Sequence, residues 1–286
     1  MKTALLALGL AAALPNVASA ATIFGVDENN NLVSFNSASP SSMLSSIRIN
    51  GAPSSFEALD FRPLNNVLYG LGVDRVVYTI NTVSGMATAV SSALGISGSV
   101  YGFDFNPTID RVRIVSNTNN NYVFNPNDGS LTGAPTTTTL AYAAGDPNAG
   151  RDPGASGAAY TSSTFGSPAG STQLYVIDSD LDVLAKQNNN GGVLTTVGSL
   201  GTDLGSRTSF DISGLDAFAF NGTTLHRVDL NTGALTKLGN TDRQLFGIAV
   251  AAVPEPATWA MMILGFGVVG YSMRRRRVNF RPQQAI

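Results

Sequence analysis

The feature that constrains this chain most is a repeat of about 44 residues in its central part. The clearest copy, residues 66–107, reads NVLYGLGVDRVVYTINTVSGMATAVSSALGISGSVYGFDFNP. It contains four short stretches rich in β-branched and aromatic residues, separated by Asn, Gly and Ser turns, and this pattern indicates strands. Further copies align when five residues are placed in equivalent positions, namely Phe24, Tyr69, Arg113, Tyr175 and Phe218.

The repeat length predicts the fold class. A period in the forties with four strands per unit is typical of a β-propeller. Each four-stranded sheet has apolar faces that need a neighbour on both sides, so the sheets close into a ring. Five units therefore predict an all-β propeller of about five four-stranded blades over residues 21–251. A β-sandwich or a solenoid with the same strand spacing is the alternative.

The composition excludes several classes of function. The chain has no Cys and a single His, His226, which excludes disulfides, thiolate metal sites and Cys nucleophiles and disfavours zinc sites. Residues 21–253 carry 18 acidic and 11 basic side chains. Because phosphate contacts supply most nucleic-acid affinity, this acidic body is not expected to bind nucleic acid.

The N-terminus has the pattern of a secretory signal peptide over residues 1–20. Lys2 precedes the apolar run Ala4–Leu14, and Ala18 and Ala20 form an A-x-A cleavage site. We therefore predict export through the Sec translocon and cleavage by signal peptidase after Ala20. A first membrane helix is the alternative, although the apolar run is short for a bilayer.

The C-terminal region contains a short apolar segment. Residues 258–273 carry no charge and are followed by Arg274, Arg275, Arg276 and Arg277. At about 1.5 Å per residue this segment is marginal for a span, and the arginines place residues 279–286 in the cytoplasm. We predict one short transmembrane helix that holds the precursor at the inner membrane. Gly265, Gly267 and Gly270 form G-x-G-x-x-G here, but the βαβ context of a dinucleotide site is missing.

The order of motifs at this end resembles the PEP-CTERM sorting signal over residues 252–278. Pro254, Glu255 and Pro256 are followed by Trp259 and Ala260, as in its PEPxxWA variant, then by the apolar run and the Arg cluster. The resemblance implies an exosortase-type enzyme that removes the tail. It also implies a Gram-negative bacterium that makes exopolysaccharide, and a cell-surface or extracellular location. An ordinary C-terminal anchor is the alternative.

The repeated body resembles the DUF4394 family, a domain of unknown function with propeller-like repeats. The stretches LYGL and LYVID, the Asn-Thr turns and the DFxP endings carry this resemblance, which runs from about Thr22 to Val250. The family implies no established activity.

Three aspartates occupy equivalent positions in the closing strand of their units: Asp60, Asp104 and Asp211. Recurrence in several units favours a scaffold role, in which each carboxylate accepts backbone N–H bonds at a tight turn. The alternative places them around one channel as acid and base for glycoside cleavage.

The stretch DSDLD resembles the first positions of a calcium-binding loop, with aspartates at Asp178, Asp180 and Asp182. An EF-hand then requires Gly at its sixth position and Glu at its twelfth, where this chain has Val183 and Asn189. We interpret the three aspartates as a solvated turn, with a calcium site as the weaker hypothesis.

Two other sites come from basic residues. Arg111 and Arg113 share one face of a strand and are expected at a solvent-facing blade edge, with an anionic ligand as the alternative. His226 is expected to be packed or hydrogen-bonded rather than catalytic.

These observations favour an exported, non-catalytic structural or binding protein associated with an exopolysaccharide matrix, without a cofactor. The alternatives are a carbohydrate-active propeller hydrolase with paired aspartates and a calcium-dependent adhesin.

Overall fold

The structure is a computed structural model, and it describes residues 20–52, 55–132, 138–166, 169–214 and 216–251, together with residues 265–267, 270, 271 and 274. In this part the chain forms five antiparallel sheets of four strands each, one of them extended by a short parallel strand. The prediction of an all-β propeller with five four-stranded blades is confirmed.

The first blade joins the two ends of the domain. Its strands are β1 (Thr22–Asp27), β2 (Asn31–Asn36), β3 (Ser39–Arg48) and β21 (Leu245–Val250). β21 pairs antiparallel with β1, so the last strand of the domain is the innermost strand of the first blade. This pairing closes the ring.

The second and third blades are simple meanders. The second contains β4 (Phe56–Arg62), β5 (Val67–Gly72), β6 (Val77–Ile80) and β7 (Ala87–Ala89). The third contains β8 (Tyr101–Asn106), β9 (Arg111–Ser116), β10 (Asn121–Phe124) and β11 (Leu131–Thr132).

The fourth blade has one additional strand. It contains β13 (Ala155–Tyr160), β14 (Leu174–Asp178), β15 (Val183–Gln187) and β16 (Val193–Ser199), and β12 (Ala141–Tyr142) pairs parallel with β16. The fifth contains β17 (Thr208–Ser213), β18 (Asp216–Asn221), β19 (Thr224–Val228) and β20 (Leu235–Asn240). The Gly- and Pro-rich insertion of the long unit therefore connects β12 to β13.

The sequence units are offset from the blades by one strand. The stretch FEALDFR, which closes a unit in the sequence, pairs with VLYGLG as the innermost strand of the next blade. The alignment of units is nevertheless correct in register. Each of the five aligned residues pairs with the same position of an innermost strand: Phe24 with Ala249, Tyr69 with Asp60, Arg113 with Asp104, Tyr175 with Ala159 and Phe218 with Asp211.

The core consists of apolar interfaces between neighbouring blades. The rings of Tyr69 and Phe105 meet edge-to-face at 5.0 Å between the second and third blades. Phe35 of the first blade lies 6.3 Å from Phe220 of the fifth, where the ring closes. Edge-to-face aromatic pairs add to the burial of apolar area. Each blade is therefore stabilised by its two neighbours.

The predicted address segments lie mostly outside the described residues. Residues 1–19 of the signal peptide, the motif residues 254–260 and Arg275–Arg277 belong to that remainder. Residues 265–267, 270, 271 and 274 are helical. Among the residues that the structure describes, no helix is long and apolar enough to cross a membrane.

Candidate functional site on the propeller axis

The five innermost strands surround the propeller axis. β4, β8, β13, β17 and β21 each contact the two flanking innermost strands, which completes a ring. One position of each strand is equivalent by its pairing with the adjacent strand, and we call these five positions the axis layer: Asp60, Asp104, Ala159, Asp211 and Ala249. Three blades thus supply a carboxylate and two supply a methyl group.

The three carboxylates converge. One oxygen of each of Asp60, Asp104 and Asp211 lies within 4.8 Å of the others, and the residues are 6%, 1% and 3% exposed. The prediction that these aspartates lie in separate tight turns is wrong. They lie inside innermost strands that meet at the axis. Three acidic side chains therefore share one buried volume.

Each carboxylate bonds the next blade. The backbone N–H of Phe105 donates to Asp60 Oδ2 at 2.6 Å, and that of Tyr160 donates to Asp104 Oδ1 at 2.9 Å. The N–H of Val250 donates to Asp211 Oδ2 at 2.5 Å. Every donor is the residue that follows an axis-layer position. The expected acceptor role is thus present, and it links neighbouring blades.

The two alanine positions explain the remaining bonds. Ala159 and Ala249 have no carboxylate to offer the next strand. The N–H of Ile212, which follows Asp211, therefore donates to Asp211 itself, at 2.6 Å from Oδ1. The N–H of Phe61 likewise bonds Asp60. Three carboxylates thus satisfy the five backbone donors of this layer, as buried donors require.

Burial sets the protonation of this layer. It raises the pKa of Asp60 and of Asp104 well above the usual value, and the neighbouring carboxylates raise both further. Burial also raises the pKa of Asp211, to about 6, although its backbone hydrogen bonds oppose this. The bond between Asp104 and Asp211 raises the first pKa and lowers the second. These directions favour a proton on Asp104 in the bond between Asp104 and Asp211.

The layer can hold protons or a small cation. Carboxylate oxygens are ligands for hard cations such as Ca²⁺, and three close carboxylates repel one another unless they are neutralised. A cavity of about 10 Å³ lies next to this layer, lined by residues such as Gly102, Gly157 and Gly247. A space of roughly 10–15 Å³ holds one water, so a sugar has no access through it.

The aspartates of the stretch DSDLD do not converge in this way. Asp178 is fully buried at the end of β14, where it accepts hydrogen bonds from Tyr142 Oη and from the N–H groups of Gly154 and Leu181. Asp180 is exposed and Asp182 is half-buried in the turn that follows. The solvated turn therefore fits Asp180, whereas Asp178 fastens the turn to the strand before it.

The position of Arg113 differs from the predicted solvent-facing blade edge. The residue is 2% exposed and donates to Tyr160 Oη, Asn121 Oδ1 and Asn190 Oδ1 at 3.4, 2.8 and 2.9 Å. The expected solvent-facing edge is wrong for this residue, because the neighbouring blade covers it. His226 is buried as expected, and burial lowers its pKa.

Sequence reasoning placed the three aspartates around one channel only as an alternative, and it did not predict that their carboxylates converge. The available signal was their place in the closing stretch of each unit, since equivalent residues of innermost strands lie around a single axis.

The fold and the address define the class: a five-bladed β-propeller with a sorting signal at its C-terminus. Residues 31–249 match the family model described as a domain of unknown function, DUF4394, and the chain belongs to this family. Residues 252–277 match the PEP-CTERM protein-sorting motif. A search of curated proteins finds no match. The sorting motif implies a protein that is exported to the cell envelope or surface and processed by an exosortase-type enzyme.

Proposed function

We propose that this protein is a non-catalytic structural or binding component of an exopolysaccharide-rich cell surface. The observation that supports the cell-surface location is the sorting motif at residues 252–277. In this proposal signal peptidase removes residues 1–20, the C-terminal helix holds the precursor at the inner membrane, and an exosortase-type enzyme then removes the tail. The propeller remains as the mature domain.

The burial of the axis carboxylates supports the non-catalytic part. A glycosidase needs two carboxyl groups about 5–10 Å apart, with the substrate between them. Here the three carboxylates lie within 4.8 Å of one another, and backbone groups of neighbouring strands occupy them. The geometry favours a role in joining the blades over a role in catalysis.

Mass spectrometry of the mature protein from its native host tests the sorting route. We expect a first peptide that begins at Ala21 and no peptide that extends from Val253 through Arg277. The variant E255Q alters the motif and should retain the tail, whereas Q283A, beyond the Arg cluster, should be processed normally. A surface-located wild-type protein with an intact tail would contradict the proposal.

Fractionation of the native host tests the association with the matrix. We expect the processed protein to leave the cells together with the extracted polysaccharide and to be released when that polysaccharide is degraded. Recovery of the processed protein in the polysaccharide-free fraction alone would rule out this part of the proposal.

A further inference from the structure

A second layer of the innermost strands lies at the mouth of the propeller, three residues before each axis-layer position. We call it the mouth layer, and its members are Glu57, Tyr101, Ser156, Thr208 and Phe246. All five line one cavity of about 100 Å³. Since roughly 10–15 Å³ holds a water, this cavity has room for several waters or for the edge of a small polar ligand.

The mouth layer is where the repeat breaks down. The position just before the axis layer is apolar in every blade, with Leu59, Phe103, Ala158, Phe210 and Ile248. The position before that is small in every blade, with Ala58, Gly102, Gly157, Ser209 and Gly247. The mouth layer has five different residue types. Groups that hold the ring together recur, as Asp does at three of the five axis positions, whereas the mouth layer shows no recurrence, which points to a role outside the fold.

Three of the five strands are bulged at this level. The register with the adjacent strand shifts at Glu57 in β4, at Ser156 in β13 and at Gly247 in β21. β-bulges redirect side chains and are common next to binding sites. The bulge in β4 places Glu57 in the wall of the cavity.

Glu57 has unused acceptor capacity. Its side chain is 16% exposed, and in the part of the chain that the structure describes its one hydrogen-bond partner is Arg207 Nη1 at 3.5 Å. Burial raises the pKa of Glu57, and the charges of Arg207 and Arg75 oppose this. A carboxylate accepts about four hydrogen bonds, so a ligand that donates at this point gains favourable contacts.

Arg207 is, with Glu57, one of the two charged side chains among the described residues that line this cavity. Its side chain is 54% exposed and lies over the Phe246 ring, at 6.0 Å from the centroid. Its charge balances that of Glu57, and the rest of the wall adds hydroxyls and the amides of Asn221 and Gln244. An anionic ligand would be repelled by the carboxylate of Glu57, and a cationic ligand would be repelled by the guanidinium of Arg207. A neutral ligand with adjacent hydroxyls avoids both conflicts, since each hydroxyl donates and accepts.

We propose that this mouth binds the terminal residue of a neutral polysaccharide, whose adjacent hydroxyls donate to Glu57 and accept from Arg207. The inference rests on the proposed surface function and names the site that such a function would use. The cavity size fits the edge of one sugar ring, so the mouth would recognise chain ends and not the interior of a chain.

The test is co-sedimentation of the purified propeller domain, residues 21–251, in its folded wild-type form and as E57Q and R207Q, with insoluble neutral and acidic polysaccharides. D216N and R227Q are matched controls, because Asp216 and Arg227 form an ion pair of similar exposure in the fifth blade. Circular dichroism melting verifies the fold of each variant. We expect neutral polysaccharide to retain the wild type and both controls, and E57Q and R207Q to bind at least tenfold more weakly.

The other outcomes separate the two proposals. Equal retention of wild type and E57Q would overturn the mouth site while leaving the surface function in place. Retention by acidic polysaccharide alone would overturn the neutral class of ligand. Absence of wild-type binding to every polysaccharide would overturn the proposed association with a matrix, and the mouth site with it.

Discussion

The axis layer and the mouth layer lie on the same five strands, three residues apart, and they differ in residue type and in the partners of their carboxylates. The axis layer is buried and repetitive, and bonds between blades occupy its polar groups. The mouth layer differs from blade to blade, and among the described residues its one carboxylate, Glu57, accepts a single hydrogen bond, from Arg207 at 3.5 Å. The comparison teaches that recurrence across the blades marks the groups that hold this ring together, whereas loss of recurrence marks the groups free to bind.

Removal of an axis carboxylate should have the largest effect on stability. D211A deprives the N–H groups of Val250 and Ile212 of their acceptor. Because an unsatisfied buried donor costs about 1–3 kcal/mol, we expect a loss of about 2–4 kcal/mol in the free energy of unfolding, measured by urea titration.

The asparagine variants sharpen this prediction. In D104N the amide can accept from Tyr160 and donate to Asp211, so we expect a change below about 1 kcal/mol. In the native protein both oxygens of Asp211 accept hydrogen bonds from backbone N–H groups. In D211N an amide nitrogen replaces one of these oxygens and faces an N–H donor. D211N should therefore be clearly less stable than D104N. Equal stability of the two variants would break the distinction between the carboxyl groups.

The small residues between the two layers give the next effect. A Cβ at Gly102 would lie 2.6 Å from the backbone nitrogen of Ala158 in the neighbouring blade. G102A should therefore push the third and fourth blades apart and cost about 1–3 kcal/mol, by the same urea titration. At Gly170 an added Cβ meets nothing within 4 Å, so G170A is the control and should change little. A neutral G102A would show that close strand approach is not required.

The raised pKa values of the axis layer predict a pH dependence. Carboxyls whose pKa is higher in the folded than in the unfolded state stabilise the fold fully below about pH 4, and this contribution is lost as the pH rises through the folded value. For Asp211 that value is about 6. The free energy of unfolding should fall by on the order of 1–3 kcal/mol between pH 5 and pH 8, and the melting temperature should fall with it.

His226 requires a control in this experiment. Its lowered pKa acts in the opposite direction, since the fold gains stability as the unfolded imidazole loses its proton. The comparison of D104N with wild type removes this contribution, because both retain His226. D104N should show the smaller fall. A wild-type melting temperature that rises from pH 5 to pH 8 in parallel with D104N would contradict the assignment.

The mouth charges should have the smallest effect on stability. Arg207 is half exposed, and exposed ion pairs contribute about 0–1 kcal/mol. E57Q and R207Q should therefore melt within about 4 °C of wild type by differential scanning calorimetry. Unfolding of either variant under conditions in which D104N is stable would reverse the roles given to the two layers.

The sequence predicts the ring but not what meets at its centre. The alignment of Tyr69 with Arg113 and Tyr175 is correct in register, because strand pairing repeats with the apolar pattern. The burial of Arg113 depends on contacts between blades, and no local pattern contains it. The convergence of Asp60, Asp104 and Asp211 is visible only from their equivalent places in the repeat, once the closing strands are known to be innermost. Glu57 escaped notice for a related reason, since a bulge changes its direction without changing the residues around it.

The central claim is that protons neutralise the axis layer. The most direct measurement is a titration of the aspartate carboxyl carbons by ¹³C NMR in the folded protein, with D60N, D104N and D211N used for assignment. We expect the Asp211 carboxyl to titrate near pH 6 and the pKa values of Asp60 and Asp104 to lie well above the usual value. Ordinary or lowered pKa values for all three would contradict this account, because three ionised carboxylates at this distance would require a bound cation in place of the protons.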